Sequence, residues 1–296
     1  MREFHGYEEM SKEDFKALQE VNLKILLYFD EFCKKHNLRY YLAGGTLIGA
    51  VRHKGFIPWD EDIDLHMPRP DYDRLPKLWK QFAETDHYTL CVTTKKKNYR
   101  HHAYSICDNK TTMIEHRNIN DDIAQGIKLD ILPFDGVPAN KFLQTKQFFW
   151  ALIFGVYNVQ RLPENQGGSF MRVAVKIALG LVRDPEKRYK LWRHAQYEMS
   201  KYDFETSPYV RELVAPLRSM KFIYPRKNFD KPYLLEFEGY KFPAQHYYKN
   251  YLENVYTGYM ELPPEDKRKP KGDIVYINLD RGYINYKGIY YCKGKE

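Results

Sequence analysis

Four acidic residues lie within five consecutive positions of the sequence. They overlap the start of a segment, Ile63 to Met67, in which apolar and polar residues alternate. They are Asp60, Glu61, Asp62 and Asp64. This segment predicts a β-strand. Alternate side chains of a strand share one face, which would bring Asp62 and Asp64 together. Two carboxylates this close repel each other unless a cation lies between them. Carboxylate oxygens suit Mg²⁺ or Mn²⁺, although the same spacing also fits a solvated strand start.

A third candidate ligand is Asp130, the single acid within the apolar stretch "IKLDILPF". This stretch predicts a strand that closes in a turn at the Pro and Gly residues of "LPFDGVP". Burial of an unpaired acid is costly, so Asp130 is expected to have a partner. The simplest arrangement places it beside Asp62 and Asp64 on an adjacent strand.

Two adjacent glycines, Gly44 and Gly45, end the short predicted strand "RYYLAGG", and Thr46 follows at a predicted helix start. Glycines allow a backbone to approach a ligand closely, and a helix start offers free N–H groups to an anion. The Thr46 hydroxyl would contact a phosphate or cap the helix. Asp60 and Glu61, in the loop before the acid strand, are expected to orient or cap the chain. Together these elements indicate a nucleotidyltransferase-like fold.

The remaining pattern predicts an α/β (α+β) protein with a mixed-sheet core and a helical, aromatic-rich C-terminal part. Ser11 caps a predicted amphipathic helix that runs to about His36. Beyond residue 140 the pattern is helical to about Asp203 and then Tyr-rich and irregular. We therefore divide the chain into a catalytic core, residues 1–140, and a lobe, residues 141–296, that packs on it and contacts the acceptor or a membrane.

Composition narrows the class of protein. The chain is 43% hydrophobic and 29% charged, which excludes a disordered protein, and its net charge of +8 favours anionic partners. Its four scattered cysteines argue against a disulfide framework. The N-terminus lacks the apolar segment of a signal peptide, which predicts a cytoplasmic location. The apolar stretches within 148–182 predict either two buried helices or an interfacial pair at the inner membrane face.

The segment "GGTLIGAVRHKGFIPWDEDIDLHMPRPDYDRL" resembles the signature of the LicD family, and the resemblance resumes at "GIKLDILPFDGVP". Members of this family transfer a phosphorylated alcohol from a CDP carrier to a cell-surface glycan. The resemblance implies a metal-binding and catalytic triad of Asp62, Asp64 and Asp130, and a phosphate-binding turn of Gly44, Gly45 and Thr46. It also implies that Arg52 neutralises the donor diphosphate. One family acid is missing from "VYTGYMELPP".

The resemblance implies Mg²⁺-dependent transfer, with Mn²⁺ as a second option, from a CDP-linked alcohol to a hydroxyl of a lipid-linked glycan or teichoic acid precursor. Phosphocholine is the favoured group, and glycerol or ribitol phosphate are alternatives. Two other functions stay open: a nucleotidyltransferase that acts on RNA or another nucleotide acceptor, and an inactive glycan-binding relative. No RNA-binding signature is visible, so nucleic acid is not the favoured partner.

Overall fold

A computed structural model describes residues 2–162 and 168–294, which form eight α-helices and twelve strands. The helices are α1 (Lys12–His36), α2 (Gly44–Arg52), α3 (Arg69–Phe82), α4 (Lys141–Val159), α5 (Gly168–Leu181), α6 (Pro185–Ser200), α7 (Leu217–Met220) and α8 (Tyr248–Val255). The strands are β1 (Glu3–Phe4), β2 (Tyr41–Leu42), β3 (Ile63–Pro68), β4 (Tyr88–Cys91), β5 (Tyr104–Asp108), β6 (Thr112–Glu115), β7 (Lys128–Val137), β8 (Tyr209–Glu212), β9 (Tyr224–Pro225), β10 (Tyr233–Phe237), β11 (Tyr240–Ala244) and β12 (Ile274–Asn278).

The predicted mixed sheet is confirmed. Its strand order is β2-β3-β7-β5-β4. In addition, β8 pairs with β7, and β9 pairs with β8. The β3–β7 pair is parallel and the other pairs are antiparallel. Helices and this mixed sheet together make an α+β fold. A hairpin, β10–β11, and a three-stranded sheet, β1-β12-β6, complete the strand pairing of the described residues.

Helix α1 begins and ends where the sequence predicts. The Ser11 hydroxyl accepts a hydrogen bond from the Asp14 N–H, and the Asp14 carboxylate accepts one from the Ser11 N–H. This capping box satisfies two N–H groups that the helix leaves unpaired. One face of the helix, which includes Leu18, Ile25 and Phe29, is fully buried. The helix therefore lies against the core that supports the acid strand.

The strand that carries Asp130 is longer than predicted. The predicted turn at Pro133 and Gly136 is wrong, because β7 continues to Val137. Pairing of β5 with β7 ends at Ile131, and pairing of β8 begins at Phe134. Pro133 thus lies between the part of β7 that pairs with β5 and the part that pairs with β8. No strand on that side requires a hydrogen bond from the N–H group that proline lacks.

The helical region after residue 140 is confirmed where the structure describes it, and residues 163–167 of the 148–182 segment lie outside the described residues. Helices α4 and α6 pack together through a second apolar cluster that includes Phe154, Trp192 and Met199. Helix α5 buries Val175 but exposes most of its other apolar side chains. The two alternatives for 148–182 therefore apply to different helices: α4 has a buried face, and α5 has an exposed one.

The second half of the chain also contributes strands to the sheet of the first half. Strand β8 pairs with β7, with Asp135 opposite Arg211. Strand β12 pairs with β6 on one side and with β1 on the other. The sheet that carries the acids is thus completed by residues from beyond position 200.

Two features of the whole chain bear on its class. All four cysteines are buried and free, as the absence of a disulfide framework predicts. Among the described helices, none is both long enough and apolar enough to span a membrane.

Candidate active site

Asp62 and Asp64 lie at the start of β3, on the face opposite the core. Asp64 is the second residue of the strand, and Asp62 directly precedes it. Ile63 and Leu65 are fully buried, whereas both aspartates are partly exposed. The alternation predicted from the sequence is confirmed.

Asp130 lies directly opposite Asp64. The two residues are register partners in the parallel β3–β7 pair, in which Ile63 faces Leu129 and Leu65 faces Ile131. The predicted adjacency of the acids across neighbouring strands is therefore confirmed. Three carboxylates project from two hydrogen-bonded strands at one end of the sheet.

Burial and mutual repulsion raise the pKa values of the β3 carboxyl groups. The pKa of Asp62 lies well above its usual range, first because of burial and then because of the neighbouring Asp64. Burial, followed by the charge of Asp130, raises the pKa of Asp64 to about 8. Without a cation these groups hold protons near neutral pH, so cation binding would release protons.

Asp64 and Asp130 are neighbours across two strands, but the oxygens of the three acids do not converge on one point. Within the described ranges, no three carboxylate, imidazole or thiolate side chains converge closely enough to hold a metal ion as they stand. Asp64 Oδ2 points toward Gly44, 2.6 Å from the position that a Cβ on that glycine would take. The Asp130 carboxylate is engaged by other side chains. Rotation of these side chains is needed to bring their oxygens onto one ion.

Asp130 has two polar neighbours that the sequence analysis missed as site residues. The Ser105 hydroxyl donates a hydrogen bond of 2.5 Å to Asp130 Oδ1, and His101 Nε2 lies 3.4 Å from Asp130 Oδ2. Burial lowers the pKa of His101, which favours the neutral ring. Ser105 is buried on β5 opposite Asp130. The only sign of this residue in the sequence was a serine within the predicted strand "YSICD".

The two glycines are explained by the acids that pack against them. Gly44 has a φ of 50°, and a side chain there would also meet the Asp64 carboxylate. At Gly45 a Cβ would collide with the Asp60 carboxylate. Helix α2 begins at Gly44, after an Ala43 N-cap that offers no side-chain hydrogen bond. Its first N–H groups therefore stand beside the acids and are suited to an anion.

Thr46 does not cap this helix, so that expectation is wrong. The helix begins two residues earlier, and Thr46 lies within its first turn. Its hydroxyl accepts a hydrogen bond of 2.9 Å from the Asp64 N–H. Thr46 thus ties the start of α2 to the acid strand.

Known proteins match this region and most of the rest of the chain. A family model described as "LicD/FKTN/FKRP, nucleotidyltransferase domain" matches residues 37–154. The lipopolysaccharide cholinephosphotransferase LicD of Haemophilus influenzae is 31% identical over 268 residues, which are 88% of this chain and 97% of that protein. The chain belongs to the LicD family. It is a phosphotransferase.

Two further proteins match shorter parts of the chain. An uncharacterized protein of Rickettsia prowazekii is 35% identical over 102 residues, 33% of this chain and 35% of that protein. The human ribitol 5-phosphate transferase FKRP is 46% identical over 41 residues, 14% of this chain and 8% of that protein. The LicD-family match therefore rests mainly on the Haemophilus relative.

In this LicD-family chain, Arg52 holds the C-terminal segment against α2. Its Nη1 donates to the carbonyl oxygens of Tyr259 (2.6 Å) and Glu261 (2.9 Å), and its Nε donates to His53 Nε2. No carboxylate of the described residues lies within ion-pair distance of it. Arg52 is predicted from sequence to neutralise a diphosphate, and the structure gives it in addition a structural contact that sequence spacing does not reveal.

The loop before the acid strand is held by side chains from α1. Gln19 Nε2 donates to the Ile57 and Asp60 carbonyls, and buried Asn22 donates to the Glu61 carbonyl at 2.8 Å. Glu61 in turn accepts hydrogen bonds from the backbone N–H groups of residues 271 and 272. The expectation that Glu61 caps the chain is thus confirmed, whereas the contribution of α1 was missed.

Replacement of Asp64 by Asn should stabilise the cation-free protein at pH 8 by roughly 1–3 kcal/mol. Because the pKa of Asp64 is raised to about 8 in the folded protein, its carboxyl group keeps a proton there that the unfolded chain already releases at lower pH. The stability of the wild-type protein therefore falls as pH rises through this window, and Asn removes the cost. Urea unfolding in EDTA at pH 5 and pH 8 measures the difference.

Asp266→Asn, at a fully solvated position, serves as the control and should leave both values unchanged. An Asp64→Asn protein that is less stable than the wild type at pH 8 would contradict the repulsion described for this site.

Replacement of Gly44 by Ala should lower phosphotransferase turnover at least tenfold, because the new Cβ would lie 2.6 Å from Asp64 Oδ2. Gly239→Ala is the matched control, because Gly239 also has a positive φ but nothing within 4 Å of its Cβ position. Both variants should lose about 1 kcal/mol of stability through backbone strain. Equal losses of turnover in the two variants would show that strain, and not the contact with Asp64, is responsible.

Proposed function

We propose that this protein transfers a phospho-alcohol from a CDP-linked donor to a hydroxyl of a glycan, with Mg²⁺ as cofactor. The observation that carries the proposal is the Asp64–Asp130 register beside the Gly44 turn, in a chain aligned over most of its length with a cholinephosphotransferase. FKRP, named as a ribitol 5-phosphate transferase, supports the same reaction class. Both named activities move a phosphorylated alcohol.

In the proposed reaction a glycan hydroxyl oxygen forms a bond to the phosphorus that bears the alcohol, and the bond from that phosphorus to CMP breaks. Asp62, Asp64 and Asp130 would hold the cation, which supplies positive charge to the donor phosphates. The N–H groups at the start of α2 orient the donor phosphates. Asp130, positioned by Ser105, is the proposed acceptor of the hydroxyl proton.

The side chains next to Asp64 favour phosphocholine. In addition to burial, the charge of buried Glu212 raises the pKa values of Asp64, Tyr224, Tyr251 and Tyr256, so all four side chains lie near this carboxylate. The three tyrosine rings also contact one another. A carboxylate among aromatic faces suits a quaternary ammonium group. Tyr256 is only partly buried, so the cluster reaches the surface on that side.

Calorimetric titration tests the donor. We expect Mg²⁺-dependent binding of CDP-choline that is tighter than that of CDP-glycerol or CDP-ribitol. Asp62→Asn, Asp64→Asn and Asp130→Asn should each lower turnover by at least a hundredfold, because each removes charge that the cation requires. Asp266→Asn is again the control, with turnover unchanged.

Other outcomes point to other functions. Binding of ATP or UTP alone, with tailing of RNA, would replace the proposal with a nucleotidyltransferase. Glycan binding without turnover would indicate an inactive relative. An Asp64→Asn protein with wild-type turnover would remove the assigned role of that residue.

The outer face of α5 supports a second part of the proposal, peripheral contact with the inner membrane face. Val173, Ile177 and Leu181 are 55%, 57% and 80% exposed and lie four residues apart on one side of the helix. Exposed Arg172 and Lys176 flank them. An apolar stripe between cations is suited to an anionic lipid surface.

Vesicle flotation tests this contact. The wild-type protein should float with vesicles that contain phosphatidylglycerol and much less with pure phosphatidylcholine vesicles, since the cations require anionic lipid. Ile177→Glu should abolish flotation. Leu234→Glu, at an equally exposed position on β10, should not. A wild-type protein that stays in the aqueous fraction with anionic vesicles would refute the contact.

A further inference from the structure

A large open cleft lies on the outer side of the loop that carries the acids. Its volume is about 570 Å³, which is within the usual range for ligand-binding sites. Helix α1 forms one wall, and the loop of residues 56–59 forms another. Glu238, in the β10–β11 turn, and Pro270 close the rim. No role in the reaction described above uses this cleft.

The lining combines aromatic faces with charged groups of both signs. Its aromatic members are Tyr7, Phe15, Phe56 and Trp59. Its charged members are Lys12, Lys16, Glu20 and Glu238. The two lysines and Glu20 are exposed, so their charged ends are free to meet a ligand. Such a surface offers both flat apolar faces and hydrogen-bond donors and acceptors.

One aromatic residue of the lining, Tyr7, turns its hydroxyl away from the cleft. The Tyr7 hydroxyl is buried and forms no hydrogen bond with the described residues. It lies against Gly272, and burial together with the charges of Glu61 and Asp62 raises its pKa, so the hydroxyl keeps its proton. A buried hydroxyl without a partner is costly. The buried hydroxyl is out of reach of a ligand, so Tyr7 offers the cleft its ring and not its hydroxyl.

We infer that this cleft binds a sugar unit of the acceptor glycan, an inference that rests on the proposed function. Sugar rings present C–H groups to aromatic faces, here Phe15 and Trp59, and hydroxyl groups to charged and amide side chains. The sequence places the aromatic-rich acceptor region after residue 140, whereas this cleft is lined mainly by residues before position 60.

The openness of the cleft favours a glycan over the cytidine of the donor. A polymer must enter and leave the groove at its ends, which an enclosed slot would not allow. The rim charges of both signs match the uncharged, hydroxyl-rich surface of a sugar. A nucleobase also stacks on aromatic faces, so the experiment must separate the two ligands.

A sugar in the cleft would contact the same loop that positions the acids. Trp59 directly precedes Asp60, and Gln19, which lines the cleft, holds the Ile57 and Asp60 carbonyls. Occupation of the cleft would therefore bring the acceptor chain to the loop that leads into the acid strand. Loss of this contact should raise the KM for the acceptor and leave the KM for the donor unchanged.

The test uses the full chain and an array of defined hexose and N-acetylhexosamine oligosaccharides, neutral and acidic. The oligosaccharide that binds best, and separately CMP, are then titrated calorimetrically into the wild type, Trp59→Leu, Lys16→Ala, Tyr197→Ala and Asp64→Asn. Trp59→Leu should weaken oligosaccharide binding about tenfold, and Lys16→Ala about threefold. Lys16 is exposed, so its replacement keeps the test valid if the Trp59 variant fails to fold.

Tyr197→Ala, at an exposed aromatic residue of α6, is the matched control and should bind the oligosaccharide as the wild type does. Asp64→Asn should also retain oligosaccharide binding, which separates this cleft from the acid cluster. CMP binding should be unchanged in Trp59→Leu.

Three results would overturn the inference. They are unchanged oligosaccharide affinity in Trp59→Leu and Lys16→Ala, loss of CMP binding in Trp59→Leu, and no binding of any arrayed oligosaccharide by the wild type. If the wild type binds a CDP-linked donor in any of these cases, the proposed function stands and only the sugar site fails. If it binds no CDP-linked donor, the proposed function itself fails.

Discussion

Repulsion between carboxylates at one end of the β3–β7 pair is the constraint on which the rest of the site depends. Like charges so close would separate unless the backbone holds them, and the register of Asp64 with Asp130 fixes their spacing. The Thr46 hydroxyl binds the Asp64 N–H and locks α2 to the strand. Amide side chains of α1 hold the preceding loop. The fold thus maintains a charge arrangement that is unfavourable without a cation.

The same constraint explains which residues may occupy the neighbouring turn. Gly44 and Gly45 leave room for two carboxylates that any side chain would displace. Their N–H groups stand at the start of α2, where the helix dipole is positive and favours negative charge. One short turn therefore serves both the acids of the protein and the phosphates of the proposed donor. This double use accounts for a glycine pair that a simple turn would not require.

Local patterns were sufficient to predict the elements that carry the site. Alternation of apolar and polar residues identified β3, and the single acid in an apolar strand predicted the position of Asp130. The errors have physical causes. The turn predicted at Pro133 is absent because β5 ends where β8 begins, an arrangement that depends on residues some 75 positions further along the chain. Ser105 was missed because only strand pairing brings it to Asp130, and His101 because the segment before β5 carries it there.

Long-range contacts also set the order in which the site can form. Glu61 is bound by backbone groups 210 and 211 residues away, and Arg52 by carbonyls 207 and 209 residues away. Contacts between residues so distant in sequence form late in folding, since the loop between them must first close. A chain still on the ribosome therefore cannot complete its acid loop until residue 272 has emerged. The unfavourable cluster of charges is assembled only when nearly all of the stabilising core is already available.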